Sequence, residues 1–301
     1  MPKIIIIGSS IAGHTAAISL RQKNKDCEIT LITDEPSPCY DKRKLPAYLA
    51  GGTKEKELYL VNADHYAGQN IKFLKERKVY GINTNRRLVY FKHEETRGNA
   101  EYDFLVICSG VKTTLPDIPG INKEGVIRLD SLNDFKQARK YLLSSDTVCF
   151  LGWNPWAQEI AKAITGQQKE VKAVTEQPVE GPAQMQHLEF INSKVTDIIG
   201  ESGVQAIKLK EGKIIGASLV VVFDSPAKPA VDFLKDTDIE LSGGGVCVDA
   251  NLRTNLKNVF ACGAAAGAQG LPDKTKNWDD VLNESVRLAD NISQAIGGLN
   301  V

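Results

Sequence analysis

Ile4-Ile5-Ile6-Ile7-Gly8-Ser9-Ser10-Ile11-Ala12-Gly13 is the stretch whose reading decides the fold. Four consecutive isoleucines predict a strand buried on both faces, as in a parallel sheet. Glycines at the first and last positions of a G-x-S-x-x-G turn follow at once, and residues 12–22 predict a helix. Gly8 can make the tight bend, and Gly13 lets the helix pack close on the strand. Ser10, Ile11 and Ala12 then lie at an amide-rich helix N-terminus that faces whatever anion occupies the turn. Ser10 departs from the pattern, because its hydroxymethyl narrows the approach of a pyrophosphate or offers it a hydrogen bond in place of open space. A second strand, Glu28-Ile29-Thr30-Leu31-Ile32-Thr33, ends at Asp34, about twenty residues after the last glycine, where a carboxylate can grip the two ribose hydroxyls of an adenosine. Set between strand and helix, with that acid beyond it, the turn reads as a nucleotide site rather than a plain βαβ unit.

The chain has 301 residues, enough for two domains and a sizeable core, and 42% hydrophobic with 25% charged residues is ordinary for a globular protein. With 37 basic and 37 acidic residues the formal charge is zero, which gives no electrostatic case for nucleic acid or an anionic membrane surface. The first strand begins at once, so no leader peptide is expected, and no apolar run reaches the ~20 residues that span a bilayer. The expected location is cytoplasmic. Six cysteines are scattered without a CxxC or ligand-type spacing, which suits reduced, buried thiols. There is no HExxH, no Cys/His cluster and no GxSxG elbow, so hydrolytic and metalloenzyme readings lack a motif.

Further segments carry a family resemblance. They are the loop around Tyr40-Asp41-Lys42-Arg43-Lys44-Leu45-Pro46 with Tyr48-Leu49-Ala50-Gly51, the run Tyr102-Asp103-Phe104-Leu105-Val106-Ile107-Cys108-Ser109-Gly110, the stretch from Gly244-Gly245 through Leu252-Arg253-Thr254 to Ala261-Cys262-Gly263-Ala264, and Trp278-Asp279-Asp280-Val281 running to Asn291-Ile292. Together these resemble the FAD-dependent pyridine nucleotide-disulfide oxidoreductases, and most closely their NADH:rubredoxin or ferredoxin reductase and nitrite-reductase-like branch. The resemblance implies an α/β fold: a Rossmann-like FAD-binding domain, residues 1–112 plus 240–301, with a shortened second Rossmann-like domain, residues 113–239, inserted in it. It also implies FAD as cofactor, NAD(P)H as a possible donor, and a protein electron donor or acceptor of ferredoxin or rubredoxin type, or a larger oxidoreductase complex.

The residue roles follow from the same resemblance. Gly8, Ser10, Ile11, Ala12 and Gly13 would meet the diphosphate, and Thr33 and Asp34 the adenosine ribose. Lys42 and Arg43 would contact the flavin's diphosphate or ribityl chain, although a merely solvated basic loop is the competing reading. The Val79 backbone would meet the adenine, and Cys108, Ser109 and Gly110 would keep the crossover tight against the cofactor. Gly263 and Ala264 match the end of a motif whose final Asp holds the ribityl hydroxyl. Here that Asp is Ala264, and losing such a bond costs about 1.5–3 kcal/mol unless another group supplies it. Trp278 either stacks near the isoalloxazine or packs one end of its helix. The family's redox cysteine falls on or beside Arg43, so no thiol chemistry is expected, and no catalytic side chain is assigned.

Departures gather in the middle of the chain. Thr147-Val148-Cys149-Phe150-Leu151-Gly152 predicts a second strand and turn, but Trp153-Asn154-Pro155-Trp156 fills the space a second pyrophosphate needs. Glu176 remains at the ribose-binding position. Residues 177–186 read as a linker replacing the helix and strand that complete the second half-domain, and Asp224-Ser225-Pro226 stands where the family has a glycine turn. The family's C-terminal dimerisation domain is expected to be absent. A second reading, a non-catalytic nucleotide-binding or scaffolding subunit that keeps the fold, therefore stands beside the reductase.

Overall fold

The structure, a computed structural model, describes residues 1–62, 64–179, 185–223, 227–268 and 276–298. Residues 180–184 of the linker and Asp224-Ser225-Pro226 lie outside the described residues. In chain order the elements are β1 (Lys3–Ile7), α1 (Ile11–Lys23), β2 (Glu28–Ile32), α2 (Leu45–Leu49), α3 (His65–Gly68), β3 (Ile71–Leu74), β4 (Lys78–Asn83), β5 (Leu88–His93), β6 (Thr96–Glu101), β7 (Phe104–Ile107) and β8 (Val111–Thr113). There follow β9 (Val126–Ile127), α4 (Leu132–Ser144), β10 (Thr147–Leu151), α5 (Pro155–Thr165), β11 (Glu170–Thr175), β12 (Leu188–Asn192), β13 (Val195–Ile199), β14 (Ala206–Leu209), β15 (Ile214–Gly216) and β16 (Leu219–Val222). The chain ends through β17 (Ala227–Pro229), β18 (Leu241–Ser242), β19 (Gly245–Val248), β20 (Val259–Ala261), β21 (Ala266–Ala268) and α6 (Trp278–Gly297).

Two compact units result: Met1–Tyr40 with Tyr59–Lys112 and Lys228–Val301, and Asp41–Leu58 with Thr113–Ala227. In the first, a parallel sheet runs in the order β20-β7-β1-β2-β3. The isoleucine run explains why β1 is central. Ile4 and Ile6 point into a core shared with α1 and α6, through Ala16, Leu20, Leu288 and Ile292. Ile5 and Ile7 point into an opposite core with Val79, Val89, Leu234 and Val246. Both faces are covered, so no polar alternation is required of the strand.

The second unit repeats the plan with the parallel sheet β12-β11-β10-β16-β9. The antiparallel meander β13-β14-β15 supplies one core face, where Ile198 and Ile207 meet Cys149, Leu151 and Val220. Helices α4 and α5 pack near β16 and β11, and α2 packs on both helices. The units depart from the expected bounds, since Asp41–Leu58 group with the second and the chain from Lys228 with the first, and two further features differ from the sequence reading. The second half-domain keeps its outer strand as β12, parallel to β11 immediately after the linker. Helix α4 was not anticipated, although Ser131 caps it and Phe135, Ala138 and Leu142 form its buried stripe.

Candidate functional site

The strand ends of the first unit converge on α1. Gly8 adopts φ +102, and a Cβ there would lie 2.2 Å from the Cys108 carbonyl oxygen. A Cβ on Gly13 would lie 1.8 Å from the Gly8 carbonyl oxygen, so strand, turn and helix touch through backbone. Ser10 is the N-cap residue, yet its hydroxyl makes no cap bond, and no acid stands in the first turn. The first amides of α1 are thus left to an anionic ligand. Beside them, the Ser109 hydroxyl is buried without a partner. An orphaned buried hydroxyl on the residue next to the Gly8 turn, together with uncapped helix amides, suits a phosphate-bearing nucleotide, so the residues present fit a dinucleotide such as FAD.

Most other residues named from the sequence belong to the same unit. Buried Thr33 accepts from the Glu35 amide at 3.2 Å through Oγ1, orienting the start of the following loop. Asp34 is exposed and paired with Lys112, whose Nζ lies 2.9 Å from its Oδ2. Val79 is buried in the opposite core at a register shift in β4. Gly110 takes φ +70 and accepts from the Ala230 amide at 2.9 Å. Gly263 takes φ +67 against the Ala12 methyl, and Ala264 is exposed. Trp278 is half-buried in the first turn of α6, which also holds Asp279 and Asp280 and is capped by Asn277. Those two acids offset the positive end of that helix dipole.

Lys42 and Arg43 belong to the second unit. Lys42 Nζ donates to the Asp130 carbonyl at 3.2 Å, and the Arg43 guanidinium forks onto Asp41 with two bonds of 2.8 Å. That fork holds the Asp41 carboxyl below the usual carboxylate range.

Sequence reasoning missed Lys112, Lys276 and Glu284. Lys276 Nζ contacts the Gly263 carbonyl at 3.1 Å and Glu284 Oε1 at 2.9 Å, while Glu284 Oε2 accepts from the Gly263 amide at 3.2 Å. No spacing rule flags partners separated by 8 to 21 positions, as at Gly263, or by 78, as for Lys112 and Asp34.

The turn of the second unit is built differently. Gly152 again takes positive φ, +89, after β10. Asn154 then caps α5, its Oδ1 accepting from the Ala157 amide at 2.8 Å, while its Nδ2 reaches the Phe223 carbonyl at 3.4 Å. Trp153 lies edge-on to Phe190 with ring centroids 4.8 Å apart, and Trp156 meets Phe135 at 6.1 Å. Glu176 is paired with Lys194 at 3.1 Å. Among the described residues no cluster of three or more potential metal ligands exists, and no helix is long and apolar enough to cross a membrane.

A profile of the pyridine nucleotide-disulphide oxidoreductases matches residues 2–291. The chain belongs to that family. Among curated relatives in the family, rubredoxin-NAD(+) reductase of Pseudomonas putida is 27% identical over 98% of this chain and 80% of its own length. NADH-rubredoxin oxidoreductase of Clostridium acetobutylicum is 27% identical over 89% of this chain and 69% of its length. An NADH oxidase of Methanocaldococcus jannaschii is 24% identical, and the chain spans 62% of it. Among solved structures, the covalent putidaredoxin reductase–putidaredoxin complex superposes with a TM-score of 0.87 at 20% identity, covering 97% of this chain and 75% of that one. The ferredoxin reductase for the CYP199A2 system of Rhodopseudomonas palustris gives 0.86 at 22% identity, covering 97% and 76%. The oxidoreductase class and the doubly Rossmann-like α/β fold expected from the sequence are those of the family.

Proposed function

We propose that the chain is an FAD-binding electron-transfer reductase, or a subunit of one, whose redox partner is a protein of ferredoxin or rubredoxin type, and that its second turn does not hold NAD(P)H in the family's usual pose. One observation carries this reading: in the second turn Asn154 caps α5 with the protein's own side chain and, with Trp153, occupies the stretch where the family has glycines, while the first turn leaves its amides uncapped and the Ser109 hydroxyl without a partner. A helix amide already satisfied by a cap, with bulky residues in place of glycine, disfavours the close approach of a pyrophosphate. The names of the rubredoxin reductases and of the putidaredoxin reductase complex support a protein partner.

In this reading Gly8, Ser10, Ile11, Ala12 and Gly13 receive the diphosphate, and the orphaned Ser109 hydroxyl gains an acceptor. Asp34 takes the ribose hydroxyls once Lys112 releases it, Thr33 shapes that end, and the Val79 backbone meets the adenine. Cys108 and Gly110 close the crossover, while Gly263, Ala264 and Trp278 face the flavin end. FAD supplies one- and two-electron chemistry when bound. The chain's own residues bind, orient and shield, and electron transfer requires no side-chain acid or base.

The alternative, a nucleotide-binding scaffold without catalysis, is favoured by Ala264 at the family's acid position. The test is the visible spectrum of purified protein before and after anaerobic NADH, then NADPH, then a chemically reduced ferredoxin. Flavin bands that persist with both nicotinamides and bleach with the protein donor are expected. Saturable bleaching by either nicotinamide overturns the exclusion of NAD(P)H from the second turn and leaves the protein partner as an acceptor only, and a colourless protein that does not take up added FAD supports the scaffold.

A further inference from the structure

The turn after β20 is a candidate subsite beyond the phosphate cradle. From Val259 to Ala266 every residue is buried except Ala264, so the strand end opens at one position. Gly263 anchors the turn on α1, where its Cβ would lie 3.0 Å from the Ala12 methyl. A methyl at the opening offers no hydrogen-bond acceptor. A carboxylate nonetheless reaches the spot from two turns into α6, because Glu284 Oε2 accepts from the Gly263 amide at 3.2 Å. Lys276 Nζ lies 2.9 Å from Oε1 and 3.0 Å from Oε2 of the same carboxylate, and also donates to the carbonyls of Gly263 at 3.1 Å and Ala266 at 3.5 Å.

A carboxylate offers about four acceptor directions. The contacts above use three of them, two on Oε2 and one on Oε1. The Glu284 side chain remains 18% exposed, and one acceptor direction on Oε1 is unused by these contacts. Lys276 pairs with the carboxylate and fixes its position against the turn.

We propose that Glu284, positioned by Lys276, is the acceptor for the hydroxylated chain of the flavin nucleotide, delivering from α6 the carboxylate that position 264 lacks. This rests on the FAD reading above. Lys276 is a positioning residue and touches no ligand in this arrangement.

The test compares two probes on the cofactor-free protein: FAD, followed by its fluorescence, and ADP, followed by calorimetry. ADP carries the adenosine and diphosphate but no polyol. Glu284→Gln is expected to weaken FAD about tenfold, the loss of one charge-assisted hydrogen bond, while leaving ADP affinity unchanged. Adding Ala264→Asp to Glu284→Gln is expected to recover most of the loss. Unchanged FAD affinity, or an equal loss for FAD and ADP, overturns the proposal, because a clamp on the turn alone would act on both probes or neither. Lys276→Met provides the same FAD-selective comparison if Glu284→Gln does not fold. A wild-type protein that binds neither probe removes the FAD reading itself, and this proposal with it.

Discussion

Cys108 and Cys262 face each other at the ends of adjacent parallel strands, with their sulfurs 3.3 Å apart. The register that pairs Val259 with Leu105 and Ala261 with Ile107 brings them opposite. Both are buried, and the neighbouring sulfur together with burial raises the Cys108 thiol well above its ordinary value. Thiolates are the reactive form, so Cys108 is protected by its raised value, and Cys262 by burial. All six cysteines are buried. In a colorimetric thiol titration the native protein should show no rapidly reacting cysteine, whereas all six should react in denaturant. A fast native phase lost in Cys108→Ala would contradict the protection.

The glycines of the first unit should respond unequally to an added methyl. At Gly13 a Cβ would press within 1.8 Å of the Gly8 carbonyl oxygen, and backbone cannot yield cheaply. At Gly110 nothing lies within 4 Å, and only the φ of +70 is unfavourable. Gly110→Ala is expected to cost about 1 kcal/mol, and Gly13→Ala roughly 3 kcal/mol or more, together with nucleotide binding. Urea unfolding curves of the two variants check the order, and equal midpoints would refute it.

His14 sets a pH dependence. Burial, with the neighbouring His65 adding to it, pushes its imidazole down to about 4, and its Nδ1 lies 3.0 Å from the Tyr66 hydroxyl. Folding therefore favours the neutral ring. The associated stability is present above the unfolded value near 6.5 and is lost as pH falls from there towards 4. The full effect is at most about 3 kcal/mol. Urea midpoints between pH 7 and pH 4 should fall less steeply in His14→Gln than in the wild type; parallel curves would show that His14 does not control this range.

Arg21 is buried although no carboxylate pairs with it among the described residues. Its two terminal nitrogens donate to the carbonyls of Asn24, Lys25, Cys27 and Asn70 at 2.7–3.0 Å. It thereby ties the end of α1 to the starts of β2 and β3. Arg21→Met should strand several of these acceptors and cost roughly 2–4 kcal/mol. Arg21→Lys should recover part of the loss, since an ammonium cannot reproduce the planar fork. Thermal unfolding within 1 °C of wild type for Arg21→Met would exclude this role.

Local pattern alone determined the two strand–turn–helix units, the parallel strands and the glycine turn of the first unit, because each is encoded within about thirty consecutive residues by hydrophobic run, glycine and helix period. Residues 4–13 and 147–152 needed no partner to be read. The filled second turn was also visible, because Trp153 and Asn154 sit in the turn itself. Tertiary structure decided everything that depends on residues distant in sequence. It placed Asp41–Leu58 with the second unit, since α2 packs on α4 and α5, and it kept β12 beside β11. It also brought Glu284 to Gly263, Lys112 to Asp34 and Cys108 to Cys262. Such pairs leave no periodic trace, because what joins them is strand register and helix packing rather than chain proximity.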